Sequence, residues 1–186
     1  MNNAITSRES ILSVCKDIVI ESGMSALNVR NIAKRSGVAL GTVYNYFPSK
    51  EDLIIATVES IWTEIMSHDT GENLQLNFLS YVNNLFNNVK KGYKKYPLFL
   101  IIHSMTMMDM DKNKGREVMN RFFENIENRL LESLNQDQSV KSGIFNESFS
   151  KQDYVKFVFS NILTLIINRT TTCDFLLAVI RRTIYE

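Results

Sequence analysis

Apolar side chains recur every three or four residues along most of the chain, and helix breakers are scarce. Residues 7–22 set the pattern. Ile11, Leu12, Cys15, Ile18 and Val19 fall at i, i+1, i+4, i+7 and i+8, which is one face of a 3.6-residue period. The two prolines and seven glycines are few for 186 residues, and they read as punctuation between periodic stretches. The expected fold is therefore all-α, in a chain long enough for a small domain joined to a larger one.

The helix limits follow from caps and breakers. Ser7 is placed to cap the first helix, and Gly23 to end it in a left-handed conformation. Asn28 suits the cap of a second, short helix with Val29, Ile32 and Ala33 turned inward, and Ser36-Gly37 ends it. A third helix carries Val43 and Phe47 on one face and stops at Pro48, because the residue before a proline resists helical angles. Ser49 caps a fourth helix running to about residue 67, with Glu51 and Asp52 in the first turn, where the helix dipole favours acids. Further helices are predicted over 74–95, from Pro97 to about 110, and over 114–135, 151–169 and 174–185. Residues 68–73 read as a turn, and the polar stretch 135–150 as a loop.

Charge placement is more informative than the net charge of +1. Between Asn28 and Lys50 there are four basic residues (Arg30, Lys34, Arg35 and Lys50) and no acid. A local patch of this kind suits one specific anionic partner better than polyanions in general. Cys15 and Cys173 lie far apart without a CxxC partner, so neither a zinc site nor a disulfide framework is expected, and Cys15 reads as core filler. The N-terminus lacks the basic-then-apolar order of a secretory signal, and no apolar run approaches the ~20 residues of a membrane helix. The expectation is a cytoplasmic protein with no metal and no cofactor. No phosphate loop, nucleophile elbow or histidine pair at metal spacing points to an enzyme.

The second and third helices, joined by a glycine-containing turn, have the form of a helix-turn-helix. In that motif the second helix lies in the major groove at an angle fixed by the first, so small residues are needed where the two cross. Ala33, Val38 and Val43 supply them. The other side of the third helix offers Thr42, Tyr44, Asn45 and Tyr46, whose hydroxyl and amide groups match phosphate oxygens and base edges. Lys50 opens the next helix, where an ammonium and free backbone N–H groups can hold a phosphate together.

The stretch "LNVRNIAKRSGVALGTVYNYFPSKEDLI" (27–54) resembles the DNA-binding signature of the TetR family of bacterial repressors. That signature runs leucine-threonine-x-arginine-x-isoleucine-alanine, glycine-valine-serine, threonine/leucine-tyrosine-x-tyrosine-phenylalanine and lysine-glutamate-x-leucine. The resemblance implies a three-helix DNA-binding unit over 1–50 and a helical ligand-binding and dimerisation domain over 51–186, with helix 51–67 joining the two. By position it makes Arg30, Thr42, Tyr44 and Tyr46 DNA contacts, has Lys50 hold a phosphate, and lets the helix approach the DNA backbone closely at Gly41. Thr42 and Tyr46 are assigned to phosphates, Tyr44 and Asn45 to bases. Two residues depart from the pattern. Ala39 stands where serine or threonine normally caps the recognition helix, a loss of about 1 kcal/mol. Leu40 stands where a polar residue is common, either packing inward or touching a thymine methyl.

The C-terminal half diverges from any family pattern. Residues 154–168 are apolar on nearly every side, and the segment from Asp174 is strongly apolar too, with Asp174 as its cap. Two such helices at the chain end fit a four-helix homodimer interface over 151–169 and 174–185, or else a monomer core. A dimer places two recognition helices ~34 Å apart on a palindromic operator in double-stranded DNA. A small-molecule effector of unknown identity then changes that spacing. Candidate ligand contacts are Trp62, Met66, Tyr81, Phe99, His103, Met107, Phe122 and Phe159, with methionine suited to irregular ligands. The basic cluster "KKGYKK" (90–95) reads first as a solvated helix end. An activator, a ligand-independent regulator, and a binder or adaptor with weakened DNA affinity are the alternatives to a ligand-released repressor.

Overall fold

The computed structural model describes residues 6–66, 77–96 and 114–186. Among them are eight α-helices and no strand: α1 (Arg8–Ser22), α2 (Val29–Ser36), α3 (Leu40–Tyr46), α4 (Lys50–Met66), α5 (Phe78–Lys95), α6 (Lys114–Gln136), α7 (Lys151–Ile167) and α8 (Asp174–Ile184). The all-α expectation holds. The helix expected from Pro97 to about 110 lies outside the described residues.

Contacts divide the described residues into two compact units. One holds α1, α2, α3, most of α4 and the end of α5; the other holds most of α5 and α6 and all of α7 and α8.

In the first unit, local chemistry fixes each short helix. Ser7 and Ser10 form a reciprocal capping box at the start of α1. Asn28 accepts the Arg30 backbone N–H and so caps α2. Gly37 closes α2 in the left-handed region at φ 68°, its N–H reaching the Ala33 and Lys34 carbonyls. A side chain at that angle would be strained, which is why a glycine makes the turn. The α1 stripe predicted from periodicity is the buried one: Ile11, Leu12, Cys15, Ile18 and Val19. They share a core with Ile32, Val43, Phe47, Leu53 and Val58. Cys15 is fully buried, and burial, partly countered by the Thr57 hydroxyl, pushes its thiol up to about 11. It is a neutral packing residue at physiological pH.

In the second unit, Asp137 ties three elements together. Its carboxylate accepts from the Phe78 N–H at the start of α5, from the Ser139 N–H, and from the Tyr185 hydroxyl at the end of α8. Within the loop expected over 135–150, residues 137–150 lie outside helices while the preceding helix runs on to Gln136, and the loop is less polar in practice than its composition suggests. Phe145 stacks on Phe149 at 5.3 Å, and both meet the buried Tyr154 edge-on. Gly92 lies inside α5 rather than between helices, and for a packing reason. A Cβ there would fall 2.4 Å from Ile65 Cγ1, so only glycine lets the two helices come this close. Asp174 is the first residue of α8 and not its cap; Cys173 holds the cap position without a side-chain hydrogen bond.

No helix among the described residues is long and apolar enough to cross a membrane.

Candidate nucleic-acid interface

The site is built from α2, its turn, α3 and the start of α4. Val29, Ile32 and Ala33 bury the inner face of α2, and Val43 and Phe47 anchor α3 from below. Seven residues of α3 with a single buried member give that helix little stability of its own, so its orientation comes from its packing on α2. What remains outward is the candidate surface. Leu40, Tyr44 and Tyr46 are 39%, 44% and 39% exposed, respectively. Gly41 and Asn45 are exposed and Thr42 half-buried. A Cβ added at Gly41 would meet no protein atom within 4 Å, so nothing within the described protein requires glycine there.

The fold decides two features of the sequence here. Ala39 makes no side-chain cap, as its chemistry dictates, and the Thr42 N–H is satisfied by the Ala39 carbonyl at 2.9 Å. Leu40 lies on the outer face, which rules out full inward packing.

The charges around α3 are unequal. Arg30, Lys34 and Lys50 are exposed. Arg35 is engaged: its guanidinium grips Glu21 with two bonds of 2.6 and 2.8 Å. Hydrogen bonding to Arg35 holds the Glu21 carboxyl below its usual range, and the same contact raises Arg35. One of the four cations counted in the sequence is therefore neutralised by an acid from α1, outside the counted window. Lys50 opens α4 directly after Ser49, whose Oγ accepts the Asp52 N–H at 3.0 Å and donates to the Asp52 carboxylate at 2.8 Å.

Two contacts at the far end of α3 gave no signal in the motif. The Tyr46 hydroxyl donates to the Thr6 carbonyl at 2.6 Å, and the Arg8 guanidinium lies 5.3 Å from the centroid of the Phe47 ring. Both bring the start of α1 to the end of α3 across about forty residues of chain. Nothing in local spacing foretells such a pairing.

Residues 11–57 match the model of the bacterial regulatory proteins of the tetR family. That match runs from α1 into α4 and covers the helix-turn-helix part of the chain. The chain is similar to the HTH-type transcriptional repressor KstR of Rhodococcus jostii, 28% identical over 112 residues, 60% of this chain and 52% of KstR. The chain thus spans about half the length of that curated relative. Among solved structures it resembles reduced Escherichia coli NemR (TM-score 0.69, 18% identity, 95% of this chain and 97% of that one). It also resembles Bacillus subtilis FadR in complex with stearoyl-CoA (TM-score 0.64, 21% identity, 89% and 90%). At these identities the structural likeness shows the fold: an N-terminal helix-turn-helix followed by a helical domain.

The predicted ligand residues are distributed between the two units. Trp62 is fully buried in the first; Tyr81 and Phe159 are buried in the second, where Met66 and Phe122 are half-buried. Phe159 packs edge-on against Phe123 at 5.4 Å, as a core aromatic would. Phe99, His103 and Met107 lie outside the described residues. A hollow of ≈ 210 Å³ does occur in the second unit, between Phe157, Asn161 and Leu165 of α7 and Cys173, Phe175 and Leu176 around the start of α8. None of the predicted ligand contacts lines it. Among the described residues no group of acids, histidines and cysteines is placed to hold a metal.

Proposed function

We propose that this protein is a dimeric transcriptional repressor that lays α3 in the major groove of a palindromic operator and leaves it when a small molecule binds the C-terminal domain. The observation that carries the reading is the outer face of α3. Leu40, Gly41, Tyr44 and Asn45 stand exposed on a helix packed on α2, beside the cations Arg30 and Lys50, which form no ion pair among the described residues. Tyr44 and Asn45 offer polar groups to base edges, Leu40 a methyl contact, and Gly41 room for close approach. Thr42 and Lys50 are the phosphate contacts on this reading.

Residues 1–50 form the DNA-binding part and 51–186 the ligand-binding and dimerisation part, with helix 51–67 between them. Dimerisation is assigned to α7 and α8. Phe157, Ile167 and Phe175 are 49%, 46% and 84% exposed there, large apolar side chains that need cover. That KstR is a repressor and that FadR was solved with a fatty-acyl thioester support repression and a small-molecule effector.

The test is titration against DNA from upstream of the protein's own gene, at several salt concentrations, beside scrambled DNA of equal length. Preference for the native fragment, lost by tenfold or more in Tyr44→Ala with dimer and fold intact, is the expected result. Equal binding to both fragments would reject a specific regulator.

A further inference from the structure

We propose that Arg8 is a DNA-backbone contact at the C-terminal end of the recognition helix, and that Tyr46 acts there by positioning the start of α1. The inference rests on the DNA-binding reading above; it adds Arg8, which neither the helix-turn-helix pattern nor the matched region 11–57 contains, and gives Tyr46 a different role.

The reasoning starts from donors and acceptors. Phosphate oxygens only accept hydrogen bonds, so a tyrosine contacts them by donating its one O–H. The Tyr46 proton is already committed to the Thr6 carbonyl at 2.6 Å. Tyr46 therefore has no donor left for a phosphate while this bond stands, although its position in the motif points to that role. What the bond does is fasten the residue pair ahead of α1 to the last residue of α3.

Two residues further on, Arg8 begins α1 and lies over the ring of Phe47, the residue that closes α3. Phe47 is buried, so it offers a fixed platform. A cation–π contact with a ring face does not use up the guanidinium N–H groups, which stay available to an acceptor. Arg8 is exposed, and among the described residues it forms no ion pair. Its neighbour Glu9 is held low first by backbone and Ser7 hydrogen bonds at the helix start, and only to a lesser degree by the charge of Arg8. The result is a pre-oriented cation beside the end of the helix that enters the groove, where the DNA backbone passes. Arg30 and Lys50 lie elsewhere on the same surface. With Arg35 neutralised by Glu21, Arg8 supplies the charge that the motif appeared to contain in Arg35.

Full-length variants separate the roles. Arg8→Met keeps an apolar side chain on Phe47 but removes the charge; Arg8→Lys keeps the charge; Tyr46→Phe removes only the hydroxyl. Each is titrated against the upstream fragment over a range of salt, with thermal melting and dimer state as controls and Tyr44→Ala beside them. Losing one phosphate contact per subunit makes the slope of log K against log salt shallower by about 2 per dimer, with affinity down about tenfold. Arg8→Met should show this and Arg8→Lys should not. Tyr46→Phe should lower affinity less, and the double variant Arg8→Met/Tyr46→Phe should bind no worse than Arg8→Met alone, because Tyr46 acts through Arg8. An Arg8→Met protein with unchanged slope overturns the proposal, as does a Tyr46→Phe protein that alone shows the full change in slope. If Tyr44→Ala weakens binding and Arg8→Met does not, only the Arg8 inference fails. If the wild type shows no preference for the native fragment, the DNA-binding reading fails and this inference with it.

Discussion

Among the described residues, α3 on one side and α7 with α8 on the other expose large aromatic and aliphatic side chains, and they do so differently. On α3 the exposed rings are Tyr44 and Tyr46, each ending in a hydroxyl, with Asn45 between them and the cations Arg30 and Lys50 near by. On α7 and α8 the exposed groups are Phe157, Ile167 and Phe175, with no polar atom on any of them. The first kind of surface, Leu40 apart, presents polar tips to water, and Tyr44 and Asn45 carry donors for a polar partner. The second gains free energy only by being covered, at roughly 25 cal/mol per Å² of apolar surface removed from water. The lesson is that exposure alone does not distinguish a nucleic-acid surface from a protein surface; the chemistry at the tips of the side chains does.

The comparison can be broken most forcefully at the hydrocarbon surface. Phe157→Glu/Phe175→Glu places two charges per subunit where the proposed dimer buries apolar rings. The expected outcome is a monomer by analytical ultracentrifugation and an operator affinity at least 100-fold lower, since one recognition helix then reads half a palindrome. An unchanged dimer would assign the interface elsewhere.

A smaller effect is expected from acid in the first unit, at Glu64 on α4. Glu64 is 29% exposed and accepts bonds from Lys16 at 2.7 Å, Tyr96 at 3.0 Å and Lys95. Burial alone would raise its pKa, but these three donors together hold it at about 2. A carboxyl whose folded pKa is depressed stabilises the fold above its unfolded value and loses that contribution as pH falls. Between pH of about 4.5 and 2 the first unit should therefore lose about 1–2 kcal/mol through Glu64, reduced from the full linkage value by solvent screening. Acid denaturation of Glu64→Gln should show a flatter profile in that window; an identical profile would remove Glu64 from the account.

The smallest effect sharpens the α3 side of the comparison. Ala39→Ser offers the missing cap and should raise thermal stability by about 0.5–1 kcal/mol. If operator affinity rises with it, α3 order limits binding. If stability rises and affinity does not, the packing on α2 already holds α3 in its working orientation.

The sequence determined what local chemistry can determine. Periodicity placed the buried face of α1; Ser7, Asn28, Gly37 and Ser49 marked helix ends through hydrogen bonds made within a few residues; and the order of residues 27–54 marked the helix-turn-helix. Each of these depends on neighbours in the chain, so each can be read from it. The tertiary structure decided what depends on residues distant in sequence. It paired Arg35 with Glu21 and so removed one cation from the patch. It committed the Tyr46 proton to Thr6 and laid Arg8 on Phe47. It gave Gly92 a reason in Ile65, and turned a polar-looking loop into an aromatic cluster through Phe145, Phe149 and Tyr154. A residue type states which bonds a side chain is able to make; only the fold brings the partner within 3 Å and thereby decides which of those bonds remain for a ligand.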